Sequence, residues 1–167
     1  MQSRDVNRPA SRALHAGCVA LLCLTVAQAA GAQITGLAEV VDADTIRIND
    51  TELHLFGIDA VERDQLCTHR GTPWTCGLRA ARLLEDFVAE NPVTCTVVAE
   101  DAHGRRYARC RVHNLDLGAE IASQGYALHY PAGSTTYRRQ QQEARHRGNG
   151  IFDSIYVKPE EWRMWKR

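Results

Sequence analysis

Two aspartates two residues apart stand at a break between apolar, β-like runs in Val41-Asp42-Ala43-Asp44-Thr45, and two more carboxylates follow at the next strand end in Phe56-Gly57-Ile58-Asp59-Ala60-Val61-Glu62. In an extended backbone, residues i and i+2 point to the same side, so each pair presents its acids together. Taken singly, each pair reads as a turn or a cap, where Asp is common. Taken together they describe converging carboxylates, which repel and persist only around a cation. A hard divalent ion with all-oxygen ligands is the natural one. A carboxylate beside such an ion can orient a water for attack, and a guanidinium such as that of Arg105 in Asp101-x-x-Gly104-Arg105 can hold an anionic substrate. Gly104 allows the tight turn that would aim Arg105 inward.

The elements that must position these groups follow from periodicity. From Gly36 to Phe56 the sequence alternates apolar and polar residues, rich in Val, Ile and Thr, with breaks at Asp42-Ala43 and Asn49-Asp50, which predicts three consecutive strands. A polar loop from Asp59 to Cys76 precedes an amphipathic helix carrying Ala80, Ala81, Leu84, Phe87 and Val88, which ends near Asn91-Pro92. Strands over Val93 to Glu100 and Tyr107 to Val112 complete a set of five. Asp116 caps a short helix reaching Gln124 and stopped by Gly125. A third helix spans Thr136 to Arg147, closed by Gly148, and the tail places Trp162 and Trp165 for packing against the domain. Five strands with a helix between the third and fourth is an order that an OB barrel uses.

Length and charge narrow the class. Residues 1–32 read as a signal peptide: Arg4, Arg8 and Arg12 start it, an apolar run follows from Ala16 to Ala27, and Ala30-Gly31-Ala32 offers small residues for cleavage. The run falls short of the roughly 20 residues a spanning helix needs. Residues 33–167 then form a single domain. Removing the three Arg and one Asp of the leader leaves 17 basic against 19 acidic residues, so no general attraction for polyanions exists and any nucleic-acid contact rests on a local cluster. Four cysteines remain, and proximity favours Cys67 with Cys76 and Cys95 with Cys110 as disulfides over a zinc site in the oxidising compartment that the leader implies.

The order and spacing of Asp42-x-Asp44-Thr45, Gly57-Ile58-Asp59-Ala60-x-Glu62 and Asp101-x-x-Gly104-Arg105 resemble the staphylococcal nuclease (thermonuclease) family. The likeness continues through Gln124-Gly125-Tyr126-Ala127, Glu143-Ala144-Arg145 and Gly150-Ile151-Phe152. The four cysteines and Pro159-x-x-Trp162-Arg163 resemble its secreted or periplasmic bacterial branch. The resemblance implies an α+β fold, a five-stranded OB-fold β-barrel of Greek-key order with about three helices. It also implies phosphodiester hydrolysis with one calcium ion (Ca2+) on single-stranded DNA or RNA, by a protein expected to be monomeric and not membrane-inserted after cleavage. On this pattern Asp44, Asp59 and the carbonyl of Ala60 hold the metal, with Asp42 in or near its outer sphere. Glu62 handles the attacking water, Arg105 binds the phosphate, and Tyr130 and His103 flank the substrate.

The departure lies at His54, where the resemblance calls for a second phosphate-clamping Arg. An imidazole cannot make the forked contact and is charged only below about pH 6.5 unless neighbouring carboxylates raise its pKa. Losing one preorganised donor costs on the order of 100-fold in rate. Arg47, Arg63 and Arg106 are the nearby cations available to replace it. His54 and the near-neutral charge also suit a different class: a catalytically degraded OB-fold binding or accessory protein of the envelope, as in proteins of this fold linked to exopolysaccharide production.

Overall fold

A computed structural model describes residues 32–130 and 136–166. The expected leader therefore lies outside the described residues up to residue 31. The three consecutive strands expected between Gly36 and Phe56 are β2 (Glu39–Asp42), β3 (Thr45–Ile48) and β4 (Thr51–Leu55), preceded by a short β1 (Gln33–Gly36). Asn49 and Asp50 both take positive φ, at 48° and 62°. A two-residue loop of that hand follows the right-handed twist of the strands it joins, which is why β3 and β4 pair directly. After β5 (Ile58–Ala60), the segment read as a polar loop contains a small hairpin, β6 (Cys67–His69) and β7 (Thr72–Trp74). Helix α1 (Cys76–Val88) leads to the long strands β8 (Val93–Glu100) and β9 (Arg106–Val112), then to β10 (Leu115–Asp116), α2 (Leu117–Ser123) and β11 (Ala127–His129). The chain ends in α3 (Arg138–Arg147), a 3-10 turn at Gly150–Asp153, and α4 (Pro159–Trp165).

The main sheet runs β1-β8-β9-β4-β3-β2, with β10 attached to β9. Within it β4 and β9 are parallel and the other pairs antiparallel. Counting only the five principal strands, the neighbours are first, second, third, fifth, fourth, which is the Greek-key order of an OB-fold. The fold is thus α+β as expected, but richer: the described residues hold four α-helices rather than about three, and the added strands are short edge and loop pairings. Their two to four residues are too few to show an alternating pattern.

Helix α1 packs on the sheet with Ala80, Ala81, Leu84 and Val88 buried, while Phe87 is only partly covered. Opposite it, Ile46, Ile48, Leu53 and Leu55 fill the interior. Asp116 caps α2 by accepting from the Ala119 amide at 3.0 Å, and Gly125 follows at positive φ. Cys95 and Cys110 are directly opposed across β8 and β9 and form a disulfide, while a second joins Cys67 to Cys76. Each crosslink stabilises by about 2–3 kcal/mol through restriction of the unfolded chain.

The segment that matters most for chemistry, residues 62–65, is fixed from three directions. The Gln65 amide donates to the Glu62 carbonyl at 2.8 Å, and the fully buried Gln65 side chain accepts from the Glu62 amide at 3.2 Å and donates to the Val157 carbonyl at 2.6 Å. The first turn of α1 presses on the same backbone, since a Cβ at Gly77 would fall 1.6 Å from the Glu62 carbonyl oxygen. Glycine is required there by close approach. We expect Gly77→Ala to destabilise by about 3 kcal/mol, as overpacking does. Gly71→Ala, at positive φ with open space around it, should cost only about 1–2 kcal/mol of backbone strain. Thermal denaturation of both variants checks this, and a Gly77→Ala midpoint equal to the parent's would refute the close contact.

Candidate active site

The ends of β2, β3, β4 and β5, the start of β9 and the last helix meet around a pocket of about 210 Å³. Its walls carry Asp42, Asp44, Thr45, His54, Asp59, Glu62, Arg105, Tyr107, Tyr130 and Arg163. The four carboxylates singled out by spacing therefore share one pocket with Arg105 and His54. Asp44 accepts the Ala60 amide at 2.8 Å and the Thr45 hydroxyl at 3.0 Å, tying β5 to the turn between β2 and β3. Asp42 accepts the amides of Ala43 at 2.7 Å and Arg63 at 3.1 Å. Backbone donors thus aim two acids at the space where Asp59 and Glu62 also point.

Crowding shows in the acidities. Burial pushes Asp44 up to about 6, opposed by the Ala60 amide and reinforced by the charge of Asp59. Burial also raises Glu62, where the bond from Arg163 pulls it down and Asp42 pushes it up again. Asp42 is raised by burial against the pull of the Ala43 and Arg63 amides.

The group that answers this charge is one that spacing did not reveal. Arg163, on α4, donates through Nη1 to Asp59 at 2.8 Å and to Glu62 at 2.5 Å. Burial opposes its charge, but its bonds to these two carboxylates outweigh that and hold it firmly protonated. Helix α4 is tied down on both sides of Arg163. Trp162 Nε1 donates to Asp64 at 3.2 Å, Lys166 pairs with Asp64, and Pro159 is buried at the first helical position. Trp162 is half-buried and tied to Asp64, whereas Trp165, also expected to pack against the domain, is 71% exposed.

Arg105 is set by the turn before it. Asp101 accepts the amides of His103 at 2.9 Å and Arg105 at 3.0 Å through Oδ1, and Arg105 Nε at 2.6 Å through Oδ2. Gly104 supplies the positive φ of 79° that the turn needs. His103, expected beside the substrate, is exposed on this turn and is not part of the pocket wall. Ala60 contributes its amide to Asp44 while its side chain is buried. Tyr130 is 42% exposed on the pocket rim, whereas Tyr126 and Tyr137 are core residues.

His54 reaches the pocket from β4, its Nδ1 3.0 Å from the Thr45 hydroxyl and its ring beside Tyr107. Burial lowers its pKa, outweighing the pull of Glu52, and Arg105 and Arg163 lower it further. Neighbouring carboxylates therefore do not rescue its charge. Nor do the expected substitutes: Arg47 pairs with Glu39 and Glu52, Arg63 with Glu85, and Arg106 with Glu100.

Among the described residues no three His, Cys, Asp or Glu side chains are already gathered as a metal centre. The donor chemistry nevertheless fits a hard divalent cation: carboxylates only, partly desolvated, mutually repelling, and bridged by a guanidinium between Asp59 and Glu62.

A family model described as staphylococcal nuclease homologue matches residues 52–154. That span holds His54, Asp59, Glu62 and Arg105, while Asp42, Asp44 and Arg163 lie outside it. Over 138 residues the chain is 32% identical to the succinoglycan biosynthesis protein ExoI of Rhizobium meliloti, which covers 80% of this chain and 72% of that protein.

The turn that holds Arg105 has its own signature. Partial desolvation raises Asp101, but the amides of Arg105 and His103 and the Arg105 guanidinium outweigh it and bring the carboxyl down to about 2. A group depressed below its unfolded value of 3.8 stabilises fully above that value and loses its contribution as pH falls through about 2. Amide NMR shifts of His103 and Arg105 should titrate with a midpoint near 2, and a midpoint near 3.8 would show that the turn is not formed.

Proposed function

The chain belongs to the staphylococcal nuclease homologue family, and on that footing we propose that it is an extracytoplasmic, calcium-dependent nuclease hydrolysing phosphodiester bonds of single-stranded DNA or RNA. The observation that carries this reading is the meeting of Asp42, Asp44, Asp59 and Glu62 with Arg105 in one pocket. A pure binding module has no use for four acids held together against their repulsion. The two disulfides suit an oxidising compartment, and among the described residues no helix is long and apolar enough to cross a membrane.

In this reading Asp44, Asp59 and the Ala60 carbonyl hold the ion, with Asp42 beside them. Bound calcium polarises a phosphoryl oxygen and offsets the charge that grows in the transition state. The chain's own groups do the rest. Glu62, whose pKa burial raises, accepts a hydrogen bond from the attacking water and takes its proton. Arg105 has Nε committed to Asp101, so its Nη groups remain to bind the phosphate. Tyr130, exposed at the rim, offers a ring on which a base stacks.

The likeness to ExoI, a succinoglycan biosynthesis protein, favours a second reading, in which this chain serves an envelope polysaccharide system without cleaving nucleic acid. The imidazole at position 54 is compatible with it. Digestion of single-stranded DNA and RNA separates the two. The nuclease reading expects cleavage with calcium, none with a chelator, and a loss on the order of 10²–10⁴-fold in Glu62→Gln. A folded parent that leaves both substrates intact at saturating calcium sinks it.

A further inference from the structure

Two guanidinia face the candidate pocket from different parts of the chain. Arg105 stands on the turn before β9 and Arg163 on α4, and both line the same walls as His54. The two repel: each depresses the imidazolium of His54, and Arg163 opposes the charge of Arg105. Like charges held across an open space are stabilised by an anion between them.

The donor geometry of Arg163 shows where that anion would sit. A guanidinium carries five N–H donors in a rigid plane. Within the described residues Arg163 spends only Nη1, on Asp59 and Glu62. Its Nε and Nη2 form an intact two-pronged edge, the arrangement that grips two oxygens of one phosphate. The side chain is 41% exposed, so the edge is reachable from solvent. The salt bridge fixes the plane of the group without using up its forked edge. His54 cannot serve instead, since it is tied to Thr45 and short of charge near neutral pH.

We propose that Arg163 is the second phosphate-binding guanidinium of this pocket, gripping the substrate phosphate opposite Arg105 while its Nη1 holds Asp59 and Glu62 in place. The assignment rests on the nuclease reading for its substrate, but phosphate binding itself can be read without turnover. It also explains why the chain tolerates an imidazole at position 54. The cation is supplied from the C-terminal helix, and Trp162, Lys166 and Gln65 exist in part to seat that helix against residues 62–65.

The test uses thymidine 5′-monophosphate, which carries a phosphate and no diester to cleave, titrated calorimetrically into the protein in calcium. Arg163→Ala should weaken binding on the order of 10- to 100-fold, the range for a hydrogen-bonded charged group. Arg163→Lys, which keeps the charge but not the fork, should fall between. His54→Arg should restore much of the lost affinity in the Arg163→Ala background, because the two side chains line one pocket. Turnover on single-stranded DNA should follow the same order, with circular dichroism confirming that each variant is folded. If the parent binds the nucleotide but cleaves nothing, the nuclease reading fails and the Arg163 assignment stands. Equal nucleotide affinity in parent and Arg163→Ala overturns the assignment, as does a parent that binds no nucleotide. Tighter calcium binding in Arg163→Ala with unchanged nucleotide affinity would reduce Arg163 to a counter-charge.

Discussion

Four carboxylates in one partly buried pocket repel one another, and a bridging cation is what allows Asp59 and Glu62 to lie side by side in this molecule. At an effective dielectric near 20, two like charges 4 Å apart cost about 4 kcal/mol, comparable to a large share of a domain's stability. Burial has already raised Asp42, Asp44 and Glu62 toward their neutral forms. Arg163 supplies the opposite charge from a helix about a hundred residues further along the chain. Much of the scaffold can be understood as the means of bringing that helix to that place.

The means are local and redundant. Gln65 bridges the backbone of Glu62 to Val157, just ahead of α4, and Asp64 receives both Trp162 and Lys166. The Cys67–Cys76 disulfide closes the loop that follows, so α1 begins against the Glu62 carbonyl with only a glycine between them. On the opposite wall, Asp101 organises a turn of five residues around Arg105 with no need of a long-range contact. One wall of the pocket is thus preorganised by sequence-local bonds and the other by bonds between distant segments.

That division governs what could be read before the structure. The strands β2, β3 and β4, the amphipathic face of α1 and the Asp116 cap rest on periodicity and local chemistry, and they were legible. So was the gathering of Asp42, Asp44, Asp59 and Glu62, because two flank the turn between β2 and β3 and two lie in and just after β5. The hairpin of β6 and β7 was not, since each strand is three residues long and Pro73 sits within it. Nor was the role of Arg163. A single Arg in Trp162-Arg163-Met164 carries no local signal of an ion pair with residues 59 and 62. The cue that existed was a tail with Pro159 at a helix start and two tryptophans, which marks a docked helix whose charged residues then need to be placed.

On the proposed function, the acids and the bridging guanidinium form one electrostatic unit, in which a divalent ion and Arg163 would answer the same excess of negative charge. Its most direct test is a calorimetric titration of calcium into the otherwise metal-free parent and into Asp59→Asn at neutral pH. The account predicts a single site in the parent, weakened more than about 100-fold by the substitution, a larger loss than removal of an outer partner brings. Calcium binding of equal strength in the two proteins, or none in the parent, would contradict it.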